Sequence, residues 1–564
     1  MVHQVRPGSA ASSVSSGTEP RRARNRRSQD GARRLRAAAP GRTITTAPDR
    51  RSQDGARRPR AAAPGRTITT APGRLSRYDV VVVGGGPAGA VAAWALAQRG
   101  IRTLILDRAH FPREKVCGDF VEPRGLRIFQ EMGCLGKLEA DGPLAITDVN
   151  LFLNGRSAYR ERIPFYASQP HLPAHGYIIP REELDVRVLQ AAVAAGAELR
   201  QDCQVTQVER AGKVVAIRFR NAGRDGVVRA RLVVGADGTH SVVARAFGLG
   251  MDDPRYLAVS QRAYVEGLET TRGEAAFIFD RELFPGYGWM FPMSGGRANV
   301  GVGILAETRD RYRISVPALF SAFLGKLQRL HPGCRAMRLA SKPIGGIVKT
   351  YGGRGPNYFD GGILVGDAGC FVDPMTGEGI TPAAESALLG TATIAEALEQ
   401  GRCDAEFLSA YGRSTHRYFD PAMRYLDFVA CLMRNRHFAD YWLAVVARGC
   451  ELAMQDRTFA RVGGAAFGGL DVRPLDTVTR IWAKGAGMLM AESGRAARAA
   501  ASGSLGLMPA IADLGRWYSG WWGSIAEDPA WHARWLAEVT GKWLRLAGTM
   551  RLSDPRLGGP ALAG

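Results

Sequence analysis

Three glycines and an aspartate between residues 84 and 107 have the types and spacing of a dinucleotide site. Gly84, Gly86 and Gly89 form a Gly-x-Gly-x-x-Gly motif, and Asp107 follows 23 residues after Gly84. The first glycine permits a tight turn, the second lets the backbone approach a pyrophosphate, and the third permits close packing of helix on strand. A carboxylate at Asp107 can hold ribose hydroxyls. The predicted chemistry is the binding of a dinucleotide cofactor.

The elements that must position these residues form a βαβ unit. Four consecutive valines, 80–83, predict a strand that is buried on both faces. The glycines then form a turn, residues 87–99 form a helix, and "RTLILD" forms a second, parallel strand. This context makes the glycine motif specific, because the motif alone is a weak signal.

Two later strands also end in glycine and aspartate. The segment "LVVGADGTHSVVAR", residues 232–245, contains Asp237, and the segment at 361–390 contains Gly366 and Asp367 before a predicted helix that starts near Gly377 and Gly379. The three motifs in this order resemble the aromatic-hydroxylase branch of FAD-dependent flavoproteins, which has the glutathione-reductase-like fold.

The resemblance implies FAD as the cofactor and assigns contacts to it. Asp367 is expected at the ribityl chain, with the following helix pointing its positive end at the flavin. The helix in "PREELDVRVLQAAVAAGA" is expected near the adenosine, with Arg181 in contact. A solvated strand end is the alternative for Asp237 and Asp367. The expected cofactor-binding residues are Gly84, Gly86, Ala88, Gly89, Asp107, Arg108, Cys117, Gly118, Arg181, Asp237, Gly366, Asp367, Gly377, Gly379 and Ile380.

The segment "GYGWMFPMSGGRANVGVGI", residues 286–304, combines aromatic rings with glycines, and its one charged residue is Arg297. Trp289 and Phe291 are two residues apart and would share one face of a strand. Such a surface suits an apolar, extended ligand. Ordinary core packing is the alternative.

This aromatic segment, Cys117-Gly118-Asp119 in "FPREKVCGDFVEP", and the loop at 373–379 together resemble the geranylgeranyl reductase family over about residues 76–400. That family saturates isoprenoid carbon–carbon double bonds with reduced FAD. The resemblance implies an apolar cavity whose strand glycines leave room for a prenyl chain. The residues expected to bind substrate are Tyr287, Trp289, Phe291 and Pro292.

Cys117 is the expected catalytic residue, because alkene reduction needs a proton as well as a hydride and a thiol is a candidate donor. The alternative is a small buried hydrophobic residue. Asp119 is expected to be a loop or flavin-region contact. No second glycine-rich unit is present in the sequence, so NADPH would bind transiently, or a ferredoxin would supply the electrons. No metal site is expected.

The net charge of +22 is concentrated in one segment. Residues 1–74 contain 17 Arg, no Lys and four acids, which leaves about +9 for the remainder and does not indicate specific nucleic-acid binding. Residues 26–73 contain a tandem repeat with a period of 24. We expect residues 1–75 to be disordered, as a dispensable tail or as an arm for an anionic partner or membrane surface. The repeat and the prolines argue against a transit peptide.

The predicted fold class is α/β. Residues 76–400 are expected to form a glutathione-reductase-like FAD-binding Rossmann domain with an inserted, mainly antiparallel substrate-binding sheet at roughly 145–180 and 250–350. Apolar alternation predicts strands of this second sheet at 147–153, 204–219, 258–264 and 298–304. A helical region is expected at 401–564.

The eight cysteines include no Cys-x-x-Cys pair, and no apolar run is long enough to span a membrane. We expect a cytoplasmic protein, and peripheral contact with the inner face of the membrane stays open. Helix packing and a membrane interface are the two interpretations of the tryptophan cluster near the C-terminus, which comprises Trp517, Trp521, Trp522, Trp531, Trp535 and Trp543.

The predicted function is FAD-dependent reduction of prenyl double bonds on a lipid or quinone. One alternative is an FAD-dependent monooxygenase or halogenase-like enzyme that acts on an aromatic or polyketide substrate. Another is a non-enzymatic flavin-binding or membrane-surface protein that acts through its basic tail.

Overall fold

The computed structural model describes residues 78–163, 172–269, 272–352, 355–455 and 522–552. The predicted Arg-rich tail lies outside the described residues, and so do residues 456–521 and 553–564 of the predicted helical C-terminal region. Within the described ranges the chain forms three β-sheets, two of eight strands and one of three.

The first sheet has parallel strands at its centre. Its valines 80–83 are almost fully buried, as expected for a strand that is covered on both faces. The central order is β19-β11-β1-β2-β8, and all of these neighbours pair in parallel. The strands are β1 Tyr78–Val83, β2 Thr103–Leu106, β8 Glu198–Arg200, β9 Cys203–Ala211, β10 Val214–Asn221, β11 Arg224–Gly235, β18 Tyr358–Phe359 and β19 Gly362–Leu364.

The segment 204–219 departs from its prediction. It forms two strands rather than one, and both belong to the first sheet, where β10 pairs antiparallel with β9 and β11. The turn at Gly212, which has a φ of +63°, reverses the chain between them. Apolar alternation is the same in any half-buried hairpin, so it did not indicate the parent sheet.

The second sheet is antiparallel except for the parallel pair of β5 and β13. One face packs on α7, where Phe320, Phe323 and Leu327 are buried, and the other face carries aromatic rings. The strands and covering helix are β5 Asp148–Leu153, β6 Arg156–Arg162, β12 Leu257–Glu266, β13 Glu274–Phe279, β14 Tyr287–Met293, β15 Arg297–Leu305, β16 Arg338–Leu339, β17 Ile344–Lys349 and α7 Val316–Leu330.

A small third sheet contains part of the predicted insertion. Its central strand β7 pairs antiparallel with β3 and β4, so residues 176–178 do not join the second sheet. The three strands are β3 Phe120–Val121, β4 Ala145–Ile146 and β7 Gly176–Ile178.

Helix α1 packs against both α4 and α8 beside the first sheet, and α11 packs against α9. Gly401, with a φ of +70°, ends α8 in the left-handed conformation that glycine favours. The remaining helices are α1 Pro87–Gln98, α2 Pro123–Glu131, α3 Leu135–Glu139, α4 Arg181–Ala194, α5 Val242–Ala246, α6 Ala306–Arg311, α8 Ile380–Gln400, α9 Ala405–Met433, α10 Ala439–Gln455 and α11 Pro529–Leu552.

Candidate active site

A cavity of about 590 Å³ is lined by the first and second sheets. The first sheet contributes the carboxyl ends of its parallel strands, including Val83 and Leu106, and Gly366, which follows β19 by two residues. Ligands of open α/β sheets bind at this edge. The second sheet contributes its aromatic face. The cavity therefore joins a polar end, suited to a cofactor, to an apolar wall.

The three glycines of the motif differ in what surrounds each of them. Gly84 has a φ of +102°, and a Cβ there would lie 2.4 Å from the Ala236 carbonyl oxygen. A Cβ on Gly89 would lie 1.8 Å from the Gly84 carbonyl oxygen, so Gly89 serves the packing of α1 and does not line the cavity. At Gly86 a Cβ would first meet Arg113 Nη2, at 3.5 Å, which leaves this backbone open to the cavity. Only two of the three glycines can therefore touch a ligand.

Asp107 is fixed at the rim of the cavity by backbone donors. Gly85 N–H donates to its Oδ2 at 2.6 Å, and Ala109 N–H donates to its Oδ1 at 2.7 Å. An ionised carboxylate has about four acceptor sites, so two remain for ribose hydroxyls. Ala88 and Arg108 line the same end.

Arg181 lines the cavity but is held by a neighbour on its own helix. Its Nε and Nη2 donate to the two oxygens of Asp185 at 2.7 and 2.8 Å, and all of these groups are buried. Arg113 reaches the same carboxylate, with Nη2 3.1 Å from Oδ2. Arg181 and Arg113 thus share the Asp185 carboxylate, and together they make this end of the cavity positively charged.

Asp237 also lines the cavity, although its carboxylate caps α5. Ser241 Oγ and Val242 N–H each donate to it at 2.6 Å. Burial raises the pKa of Asp237, and these hydrogen bonds oppose the rise. The described contacts of Asp237 are therefore those of a helix-capping residue that lies beside the end of the cavity suited to the cofactor.

Asp367 lies at the end of the last parallel strand, where Thr239 Oγ donates to Oδ2 at 3.4 Å and Lys115 Nζ is 3.6 Å away. Downstream, Gly377 and Gly379 lead into α8, whose first residue is Ile380, and all three line the cavity. The positive end of the 21-residue helix α8 therefore faces the cavity beside an acid.

The residues at this end fit FAD. Two helix N-termini, those of α1 and α8, reach the cavity with the open backbone of Gly86, the acids Asp107 and Asp367, and the Arg113 cation. Helix N-termini and guanidinium groups suit a pyrophosphate, and carboxylates suit hydroxyl groups of ribose and ribityl chains. All of the expected cofactor residues except Gly89 line the cavity.

The aromatic wall comes from alternate residues of β14. Tyr287, Trp289 and Phe291 line the cavity, with successive ring centroids 6.0 and 6.3 Å apart. Pro292 does not line it, because successive residues of a strand face opposite sides. The structure therefore does not bring Pro292 into the cavity wall with the other three residues expected to bind substrate.

Two of the strand glycines are needed for the packing of aromatic rings rather than for a ligand. A Cβ on Gly301 would lie 2.1 Å from Trp289 Cζ2, so the indole occupies the space that this glycine leaves. A Cβ on Gly288 would lie 2.4 Å from Phe323 on the α7 side. Gly303 does line the cavity. Of these three glycines, Gly303 is the one that lines the cavity and could leave room for a prenyl chain.

The Cys117-Gly118-Asp119 turn packs on this wall. A Cβ on Gly118 would lie 3.0 Å from Phe291 Cε2 and 3.6 Å from Trp289 Nε1, so glycine lets the backbone meet the rings. Asp119 has a φ of +64°, and its N–H donates to Cys117 Sγ at 3.3 Å. Burial raises the pKa of the Cys117 thiol, which therefore stays neutral at physiological pH. The turn places a thiol and a carboxyl side by side in the cavity wall.

Asp119 is more deeply embedded than its predicted role as a loop contact implies. Its side chain is fully buried, and Oδ2 accepts hydrogen bonds from Tyr264 Oη at 2.6 Å and Asn299 Nδ2 at 2.8 Å. Asn299 Oδ1 in turn accepts from Trp289 Nε1 at 2.9 Å. Burial raises the pKa of Asp119 to about 6, although Tyr264, Arg262 and Asn299 oppose the rise.

Three polar residues of this network were missed from the sequence: Arg262, Tyr264 and Asn299. Asn299 interrupts an apolar strand between Ala298 and Val300, which is a usable signal because a buried amide must find partners. Arg262 and Tyr264 carry no such signal, since alternating polar residues are ordinary in a strand. Their function depends on pairing across strands that a single sequence does not reveal.

The C-terminal helices also reach the site. Ala430 and Met433, near the end of α9, line the cavity. Trp535 on α11 is half-buried and donates to the Cys431 carbonyl oxygen at 2.9 Å, and Trp531 is buried. The contacts of these two tryptophans agree with helix packing rather than with a membrane interface. Trp517 and Trp521 lie outside the described residues.

Two negative findings concern the described residues. No helix among them is both long and apolar enough to cross a membrane. No group of three or more His, Cys, Asp or Glu side chains in the described part of the chain is arranged to hold a metal ion.

Comparison with known proteins places this geometry among flavoproteins. The FAD binding domain family matches residues 77–279. A menaquinone reductase of Mycolicibacterium smegmatis is 31% identical over 72% of this chain and 95% of that protein. Digeranylgeranylglycerophospholipid reductase 2 of Methanopyrus kandleri is 32% identical over 62% of this chain and 84% of that protein.

A solved structure shares the fold. The geranylgeranyl bacteriochlorophyll reductase-like protein of Thermoplasma acidophilum superposes with a TM-score of 0.58 at 22% identity, covering 66% of this chain and 91% of that one.

Proposed function

This chain belongs to the geranylgeranyl reductase family of FAD-dependent oxidoreductases, and from that premise we propose that it saturates carbon–carbon double bonds in the prenyl chain of a lipid or quinone. One observation carries the proposal: an FAD-type cradle and an aromatic wall line the same cavity. The two relatives are named for menaquinone and for a geranylgeranyl phospholipid, and both molecules carry prenyl chains.

The protein groups divide the task between holding the cofactor and holding the chain. Gly86 and the start of α1 would hold the pyrophosphate, Asp107 the ribose and Asp367 the ribityl chain. When bound and reduced, FAD supplies a hydride. Tyr287, Trp289 and Phe291 would orient the prenyl chain and exclude water. Either protonatable group of the Cys117–Asp119 turn could hold the proton that completes the saturation.

A geranylgeranyl phospholipid is the sharper test substrate, because a quinone head group can itself reoxidise a reduced flavin. The FAD-loaded protein is reduced with dithionite without oxygen, the lipid is added, and flavin absorbance is followed together with the mass of the product. We expect reoxidation with a gain of two hydrogens per saturated bond. A flavin that stays reduced until air enters, followed by an oxygenated product, would support the monooxygenase alternative.

The electron donor is the second part of the proposal. NADPH that binds transiently, or a ferredoxin, would reduce the bound FAD. Anaerobic addition of each donor to the oxidised protein distinguishes them, since only the true donor bleaches the flavin at a rate that supports turnover.

We also propose that α11 contacts the membrane. Its outward face exposes Leu536, Trp543 and Leu544 by 50 to 58%, and the exposed residues Arg534 and Arg545 flank them. Apolar side chains flanked by arginine suit an anionic bilayer surface. The face lies on the helix that packs against α9, which lines the cavity.

Vesicle flotation tests this contact. Replacing Trp543 and Leu544 by Ser is expected to lower binding to phosphatidylglycerol vesicles at least several-fold while FAD content is unchanged. Val193→Ser on α4, which removes a side chain of 43% exposure, is the matched control and should bind like the parent. Equal binding by both variants would contradict the contact.

A further inference from the structure

Asp119 belongs to a polar network set into the aromatic wall, directly after Cys117 and Gly118, which are expected at the cofactor. Oδ2 is occupied by Tyr264 and Asn299, whereas Oδ1 is buried and makes no hydrogen bond to any described residue. Asp119 lines the cavity beside Phe291 and Trp289. A fully buried carboxyl oxygen without a partner is costly, and such a group in a ligand cavity points to a role with the ligand.

Resting on the proposed function, we propose that Asp119 is a catalytic residue that delivers the proton to the prenyl double bond. Its O–H bond breaks and a C–H bond forms at one alkene carbon, while the hydride supplied by reduced FAD is added to the other carbon. The carboxylate that remains is held by Tyr264 and Asn299, and it regains a proton from water that enters the cavity once the saturated product has left.

Asp119 suits this task better than its neighbours. The Cys117 pKa is raised above its usual value by burial, so the thiol is the weaker acid. Glu378, another buried acid of the cavity, accepts from Thr381 N–H at 2.8 Å at the start of α8. Burial raises the pKa of Glu122, which also lines the cavity, to about 7, but its Oε2 lies 3.8 Å from Arg124 Nη2 and it is not part of the network that joins Asp119 to Trp289 through Asn299.

The charged groups around Asp119 oppose the effect of burial, so the pKa of its carboxyl stays near neutral pH. Arg262 and Tyr264 come from β12, Arg181 from α4, and Cys117 from its own turn. Arg262 lies over the Tyr264 ring at 4.4 Å and is almost fully buried. The cations favour the carboxylate and burial favours the acid. Their balance allows the group to give up a proton and take one back.

Asp119→Asn tests the proposal, because Asn tolerates the left-handed backbone that Asp119 adopts. We expect normal FAD content and hydride-driven reoxidation by the geranylgeranyl lipid slowed about 100-fold or more. In the parent, the rate should fall as the pH rises above about 6, because the protonated form is the donor. The residual rate of the variant should lack this dependence, whereas Cys117→Ala should keep it. Asp280→Asn, at a buried aspartate outside the cavity, is the matched control.

Tyr264→Phe provides a second variant if Asp119→Asn folds poorly. It removes one donor to Oδ2, so the pH at which the rate falls should move upward. Infrared difference spectra between the parent and Asp119→Asn supply a readout independent of turnover: bands of other buried acids such as Glu122 cancel, and the remaining carbonyl band of the protonated carboxyl should disappear above about pH 7.

A pH profile shared by the parent and Asp119→Asn, or a difference spectrum without a protonated-carboxyl band at low pH, would overturn the assignment. Failure of the proposed function is distinguishable, because the parent itself would then leave the lipid unsaturated.

Discussion

At the residue scale, Asp367 offers the most direct check on the cofactor site. Its carboxylate stands at the end of a parallel strand and faces the positive end of α8, where it would accept hydroxyl groups of the ribityl chain. Asp367→Ala is expected to weaken FAD retention at least tenfold, because about 1.5–3 kcal/mol is typical of a hydrogen bond to a charged group. Flavin absorbance after gel filtration measures this. Flavin content equal to the parent would remove the assignment.

The raised pKa of Asp119 should make the free energy of unfolding depend on pH. Its pKa rises from 3.8 to about 6 on folding, so the folded state binds the proton more tightly than the unfolded state. The parent should therefore lose up to about 3 kcal/mol relative to Asp119→Asn as the pH rises from about 4 to about 8, with no difference from this group below about pH 4. Urea unfolding of both proteins across this range gives the difference directly. A constant difference would show that the folded-state pKa is not raised.

At the element scale, β15 determines where the Trp289 ring can lie. Gly301→Ala would place a Cβ 2.1 Å from Trp289 Cζ2, which forces the indole out of its position and breaks its hydrogen bond to Asn299. We expect a loss of about 1–3 kcal/mol in unfolding free energy and slower alkene reduction, with FAD retained. Gly303→Ala on the same strand is the matched control for stability, because its Cβ would be 3.7 Å from the nearest atom, although Gly303 lines the cavity. Equal effects of the two substitutions would contradict this account.

The local elements of the cofactor end could be predicted from the sequence because their signals are local. Gly84, Gly86 and Asp107 lie within one βαβ unit, and the observed helix Pro87–Gln98 ends one residue before its predicted end. The network around Asp119 could not be predicted in this way. Its partners Tyr264 and Asn299 come from strands more than 140 residues further along the chain, and cross-strand register is set by tertiary pairing.

At the scale of the whole molecule, buried ion pairs fasten the C-terminal helix to the body of the protein. Lys542 on α11 pairs with Asp427 on α9, and Arg434 pairs with Glu538. Burial opposes the charge of Lys542, but the Asp427 carboxylate raises its pKa above the usual value, so it stays a cation. Because the following turns of α9 present Ala430 and Met433 to the cavity, the docking of α11 supports the substrate end of the site.

Lys542→Met is therefore expected to act on substrate binding from outside the cavity. It leaves the Asp427 charge buried without its partner, which typically costs about 3–5 kcal/mol. We expect a lower unfolding temperature and a higher KM for the lipid, with FAD content unchanged because the cradle lies on the first sheet. The double variant Lys542→Met with Asp427→Asn removes both charges and should recover most of the stability and the KM. If the single variant lost FAD and lipid binding together, α11 would support the whole protein rather than the substrate end.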